Sequence, residues 1–224
     1  MSNPPQPAPT ETRDHILDVA ERLFGEKGFD NVSLRAITAE AAVNLAAVNY
    51  HFGSKEGLIQ EVIMRRLRPI NAERLEQLDA AEKAAGKRGP DAGTVFDCFF
   101  RPVVSRINPD AAESEAFLKL MAHCMNANDR LSQFMAGQFR EVVERFAAAL
   151  GKQVPKAPPE IVRLRLLFSA GVLVYKMHHF PLLRLFGKAA RFDEAADEMI
   201  KFAAAGFMAG VTDSTKKAKG KKAK

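Results

Sequence analysis

Apolar residues recur at helical spacing from Ile16 through Leu17, Ala20, Leu23 and Phe24, and the run stops at Gly28. The pattern predicts a helix with Thr10 or Thr12 as N-cap and with Gly28 free to take a left-handed position beyond its end. Asp30 to Val32 make a turn. Ser33 then caps a short second helix whose Leu34, Ile37 and Ala41 share a face. A break over Ala42 to Asn44 leads into a third short helix, Leu45 to Phe52, closed by Gly53. Ser54 caps a fourth that buries Leu58, Val62 and Ile63 and is expected to kink or end near Pro69.

Residues 70 to about 82 continue or restart that helix, until the GKRGPDAG segment at 86–93 breaks the chain. Helical patterns follow at about 94–106, 113–125, 129–150, 159–186 and 193–211, separated by INPDA, NAND, GKQVPKAPP and FGKAARFD. No stretch sustains β alternation and no hairpin turn separates β-branched runs, so the fold class is all-α, with about nine helices.

Two short helices joined by a tight turn and braced by a longer one form the minimal frame for presenting a helix to a DNA major groove. On a helical wheel of Leu45 to Phe52, Val48 and Phe52 point inward, Ala46 and Tyr50 outward, and Ala47 and Asn49 flank them. Alanines on that face let the helix approach base edges and touch thymine methyls. Asn49 has the donor and acceptor to pair with adenine, and Tyr50, His51 and Lys55 are placed to hold phosphates. Asn44 is a good N-cap and leaves the positive end of the helix dipole facing the DNA backbone. Packing of Tyr50 and His51 on Lys55 as ordinary surface residues is the alternative.

Charge alone does not favour this reading. The net charge is +6, but six lysines lie in the last nine positions, and the rest of the chain is neutral. Residues 1–60 carry Arg13, Arg22, Lys27, Arg35 and Lys55 against eight acids. Dimerisation, backbone amides and Arg65, Arg66 and Arg68 are the expected compensation.

The run SLRAITAEAAVNLAAVNYHFGSKEGL, with the preceding ILDVAERLFGEKGF, resembles the DNA-binding domain of the tetracycline-repressor (TetR) family over about residues 11–65. The resemblance implies a recognition helix spanning Leu45 to Phe52. It also implies that Arg35 and Thr38 approach the DNA backbone and that His51 and Lys55 hold phosphates. Family members bind palindromic operators as dimers, and their divergent C-terminal domain binds an inducer and forms the dimer interface. Three departures bear on the operator sequence. Ala42 stands where the turn usually has Gly, Leu45-Ala46-Ala47 replaces the usual Lys-Gly-Thr, and Asn49 replaces a common Tyr. The candidate DNA-contacting set is Arg35, Thr38, Asn44, Leu45, Ala46, Ala47, Asn49, Tyr50, His51 and Lys55. The resulting organisation is a disordered Pro-rich arm at 1–9, a three-helix helix-turn-helix domain at 10–68, a ligand-binding and dimerisation domain at 69–212, and a disordered Lys-rich tail at 213–224.

Phenylalanine dominates the aromatic content of the C-terminal half, in stripes: Phe96, Phe99, Phe100 and Val103; Phe117, Leu120, Met121 and Cys124; Phe134 and Phe139 with Val142 and Phe146. Such stripes make an ordinary core. Facing one another with Phe and Met, they also enclose a deformable apolar cavity. With Phe168 and His178 added, and Val142 and Phe146 left to the core, they are the candidate lining for an apolar or amphipathic effector. The segments at 159–186 and 193–211 are apolar on more than one side and carry Ala170, Gly171, Ala204, Ala205, Gly206, Ala209 and Gly210, which permit close helix approach. They are expected to pair with their copies in a four-helix homodimer interface, the alternative being a purely intrachain core.

Other classes find little support. Cys98 and Cys124 are far apart, and the pairs His178–His179 and His123–Cys124 point about 100° apart on a helix, so no metal, cofactor or disulfide framework is expected. No phosphate loop or nucleophile elbow supports an enzyme. The first residues lack a basic-then-apolar leader and no later stretch is apolar at membrane-spanning length, which predicts a cytoplasmic protein with no membrane partner.

Overall fold

A computed structural model describes residues 9–107, 112–125, 129–178 and 192–210. Among them every regular element is helical: α1 (Pro9–Lys27), α2 (Leu34–Glu40), α3 (Leu45–Phe52), α4 (Lys55–Ala85), α5 (Ala92–Val104), α6 (Ala112–Met125), α7 (Asp129–Gly151), α8 (Pro159–His178) and α9 (Phe192–Met208), with a 3₁₀ turn at Gly86–Arg88. The expected Lys-rich tail, residues 1–8 of the expected arm and residues 179–186 of the expected long helix lie outside the described residues.

Capping sets the starts of the short helices. The amide of Ala36 donates to Ser33 Oγ at 3.1 Å, that of Ala47 to Asn44 Oδ1 at 2.8 Å, and that of Gly57 to Ser54 Oγ at 3.0 Å. Two boundaries differ from the sequence reading. α1 starts at Pro9, ahead of both expected caps, because proline is tolerated in a first turn whose amides are unbonded anyway. α4 neither ends nor restarts at Pro69 but runs through it to Ala85. Pro69 is exposed, so water can serve the carbonyl that its missing amide leaves free.

The described residues form two compact units, Met1–Pro69 with Asp110–Phe134, and Ile70–Pro109 with Met135–Lys224. In the first, Ile16, Leu17, Ala20, Leu23 and Phe24 of α1 meet Ile37 of α2, Val48 and Phe52 of α3, and Leu58, Val62 and Ile63 of α4 in one buried core. α6, which the sequence reading placed in the second domain, groups here because it packs on α1 and buries Phe117, Leu120 and Cys124. The His123 imidazole lies across Gly28, where an added Cβ would meet it at 3.2 Å, and edge-on to Phe29 at 6.1 Å.

In the second unit α9 packs on α5 and α8. Phe96, Phe99, Phe100, Phe146 and Phe207 are buried together, with ring centroids 5.1–5.8 Å apart for Phe99–Phe146, Phe96–Phe100 and Phe96–Phe207. Mostly edge-on rings at these separations fill space with the favoured aromatic geometry.

Candidate nucleic-acid interface

The turn between α2 and α3 is closed by backbone. The amide of Ala41 donates to Ile37 O at 2.8 Å and that of Val43 to Thr38 O at 3.0 Å. Between them Ala42 sits at φ +52°, the left-handed conformation that favours glycine. The turn therefore keeps its shape with alanine, at the cost of local strain. At the other end of α3, Gly57 is required by space, since a Cβ there would lie 2.2 Å from Phe52 O.

α3 divides cleanly into two faces. Val48 is 0% exposed and Phe52 is buried, whereas Tyr50 is 83% exposed and Leu45, Ala46 and Asn49 are exposed beside it. Ala47 and His51 are half-buried on the flanks, and the Tyr50 and His51 rings meet edge-on at 5.0 Å. Asn44 is exposed and its side-chain carbonyl is spent on the Ala47 amide, which leaves its own amide nitrogen to face a partner. Thr38 is placed differently from the rest: it is buried, and its hydroxyl donates to Arg35 O at 3.1 Å.

Ion pairs sort the charges of this unit. Asp14 pairs with Arg13, Asp18 and Glu21 with Arg65, Glu21 also with Arg66, Glu26 and Glu40 with Arg22, and Glu61 with Arg13 and Arg68. The acids that made residues 1–60 look unsuited to DNA are thus largely neutralised by arginines. Arg65, Arg66 and Arg68, expected from the sequence as compensating cations, each pair with an acid of α1 or α4, and Arg68 is largely exposed. Arg35, exposed on α2, and Lys55, half-buried at the start of α4, enter no ion pair among the described residues. The surface around α3 therefore offers uncommitted cations beside an uncharged, hydrogen-bonding helix face.

The candidate effector residues are found in both units. Phe96, Phe99, Phe100 and Val103 are buried in the second unit, and Phe139 is half-buried there. Phe117, Leu120 and Cys124 are buried in the first unit, with Met121 and Phe134 half-buried. Phe168 is 67% exposed on α8 and lines a groove of about 160 Å³ with Arg165, Ser169, Val172, Phe202 and Phe207. The side chain of His178 lies outside the described residues. The sequence reading missed Arg74, buried in the second unit against Phe99, although Ile70, Arg74 and Leu78 fall on one apolar stripe at spacing of four.

Cys124 is buried and desolvation pushes its thiol up to about 12; burial raises Cys98 as well. Both are held as thiols rather than reactive thiolates near neutral pH. Among the described residues no group of three His, Cys, Asp or Glu side chains is arranged to hold a metal, and no helix is long and apolar enough to cross a membrane.

Comparison with known proteins agrees with this geometry. A sequence model described as bacterial regulatory proteins, tetR family, matches residues 16–62, and one described as tetracyclin repressor-like, C-terminal domain, matches residues 97–206. The HTH-type transcriptional regulator UidR of Escherichia coli K12 is 26% identical over 145 residues, covering 60% of this chain and 67% of that protein. A transcriptional regulator of Pseudomonas aeruginosa PAO1 superposes with a TM-score of 0.64 at 16% identity, over 92% of this chain and 95% of the other. The regulator SmeT, solved as a complex with triclosan, does so with a TM-score of 0.57 at 20% identity, over 86% and 91%. The α2–α3 geometry and the two sequence matches, one in each half, converge: the chain belongs to the tetracycline-repressor (TetR) family of transcriptional regulators.

Proposed function

We propose that this regulator is a repressor that binds a palindromic operator as a homodimer and is released by a small apolar or amphipathic effector. The observation that carries the DNA-binding part is the exposed face of Ala46, Asn49 and Tyr50, flanked by the unpaired Arg35 and Lys55. In this reading Asn44, Leu45, Ala46, Ala47, Asn49 and Tyr50 face the major groove, and Arg35, His51 and Lys55 hold phosphates. Thr38 supports the turn from inside and contributes by position rather than by its hydroxyl.

The dimer forms through α8 and α9. Leu164, Leu167, Phe168, Phe202 and Met208 are large apolar side chains left exposed on these two helices, a concentration unusual for a monomer's surface. Binding to successive major grooves of a palindrome requires the two α3 helices of such a dimer to lie about 34 Å apart, one duplex turn. The effector shifts the population toward a dimer whose helices no longer match successive grooves. The phenylalanine cluster of the second unit supplies the apolar environment, and the SmeT–triclosan complex is a precedent for a small aromatic ligand.

Selection from random duplex DNA with the full-length protein, followed by gel shift at physiological salt, tests this reading. The expected product is an inverted repeat bound by a dimer. Recovery of no preferred sequence, or binding that vanishes uniformly with salt, overturns it. A reporter driven by the selected site is expected to rise when the gene is deleted; a fall would make the protein an activator.

A further inference from the structure

Arg74 is the most deeply placed cation of the second unit. It is 3% exposed, its guanidinium lies 4.3 Å from the centre of the Phe99 ring, and among the described residues no carboxylate is within ion-pairing distance. Four arginines nearer the surface of the same unit have carboxylate partners. Arg101 pairs with Asp97 and Asp197, Arg106 with Glu73, Arg145 with Asp79 and Glu82, and Arg163 with Glu144. A buried guanidinium without a counter-ion is costly, and desolvation alone lowers its pKa to about 10.

Part of the side chain has a structural task. Pro102 lacks the amide that would serve the carbonyl of Cys98 in α5. In the same turn Phe99 O accepts from Arg74 Nε at 2.8 Å, while Nη1 donates to Asn71 Oδ1 at 3.0 Å. Those bonds leave Nη2 without a partner. Since no fully buried side-chain nitrogen or oxygen lacks a partner among the described residues, Nη2 is not completely sealed from solvent. Serving one carbonyl needs only a neutral donor; the charge is left over.

We propose that Arg74 is the headgroup anchor of the effector site, and that the effector is an amphipathic anion, a carboxylate carried on an acyl or aryl body. The carboxylate accepts from Nη2 and supplies the missing counter-charge, and the rings of Phe96, Phe99 and Phe100, which pack on one another here, separate to admit the apolar body. The inference rests on the effector-responsive reading above and narrows it from apolar compounds in general to anions.

Titration calorimetry on the full-length protein, with decanoate, palmitate and phenylbutyrate each beside its matched alcohol, is the test. The wild type is expected to bind the carboxylates about tenfold or more tightly than the alcohols, as for a charge-assisted hydrogen bond. Arg74→Gln is expected to abolish that preference while leaving the alcohols unchanged, and Arg74→Lys to restore part of it. The wild-type comparison stands even if the variants fail to fold. Equal affinity for acid and alcohol, a preference that survives in Arg74→Gln, or no binding of any probe overturns the anchor. Alcohols that bind equally and release DNA would leave the effector reading intact, whereas failure of operator binding would remove the regulator reading itself.

Discussion

Arg65 donates to Glu21 at 2.7 Å, and Arg66 reaches the same carboxylate at 2.7 Å from the next position on α4. Glu21 is buried on α1, and the two arginines supply its counter-charge there. Glu21→Gln removes the charge and strands the guanidinium donors. Because the arginines remain partly exposed, the expected loss is about 1–3 kcal/mol in denaturant unfolding. No loss would mean that water replaces the pair without cost.

Ala42 at φ +52° gives a prediction of opposite sign. A Cβ in the left-handed region is strained, and glycine is not, so Ala42→Gly is expected to stabilise the protein by about 0.5–1 kcal/mol, read as a shift in denaturation midpoint. Operator affinity should hold, since the turn already has the required shape. A destabilised variant would show that unfolded-state entropy outweighs the strain.

These two sites mark what was legible in the sequence. Helix starts at Ser33, Asn44 and Ser54 and the inward turn of Val48 and Phe52 follow from capping and period, which are local. The path of α4 through Pro69 depended on Pro69 facing outward, which no window of residues reveals. The acidic partners of Arg65, Arg66 and Arg68 on α1 and α4 could not be read from the sequence, since the Arg65–Glu21 pair spans 44 positions. Arg74 was nearer to hand, since a cation on the Ile70–Leu78 stripe already conflicts with a helix that buries that face.

Cys124 sets an alkaline limit. Its folded pKa of about 12 lies above the unfolded reference of 9.0, so the thiol form is favoured by folding. The contribution is fully present below pH 9.0 and is lost as pH rises toward 12, because the unfolded chain releases its proton first. Wild type should therefore lose stability faster than Cys124→Ala over that window in matched urea titrations. In the native state near neutral pH, iodoacetamide should leave Cys124 unlabelled; rapid labelling without unfolding would contradict the burial.

Phe168 and Phe202 are each 67% exposed, on α8 and α9, and both line the groove between those helices. If that face is the dimer interface, charge placed there must be desolvated on association. Phe168→Glu and Phe202→Glu should each give monomers by analytical ultracentrifugation with little change in unfolding temperature, because neither ring supports its own chain's core. Dimers that persist in both variants would move the interface elsewhere.

The same logic of exposure applies to α3, where function and stability should separate completely. Tyr50 projects into solvent and Lys55 has no ion-pair partner among the described residues, so alanine at either costs the folded chain little. Lys55→Ala frees one phosphate per protomer. It should weaken all duplexes alike and flatten the salt dependence by about one unit of slope for each phosphate no longer neutralised. Asn49→Ala should act differently, leaving the salt slope alone and costing about 1–3 kcal/mol of discrimination at a single base pair per half-site. A common effect of both substitutions, uniform over sequence and salt, would place Asn49 on the phosphates and assign base reading to Ala46, Ala47 and Tyr50.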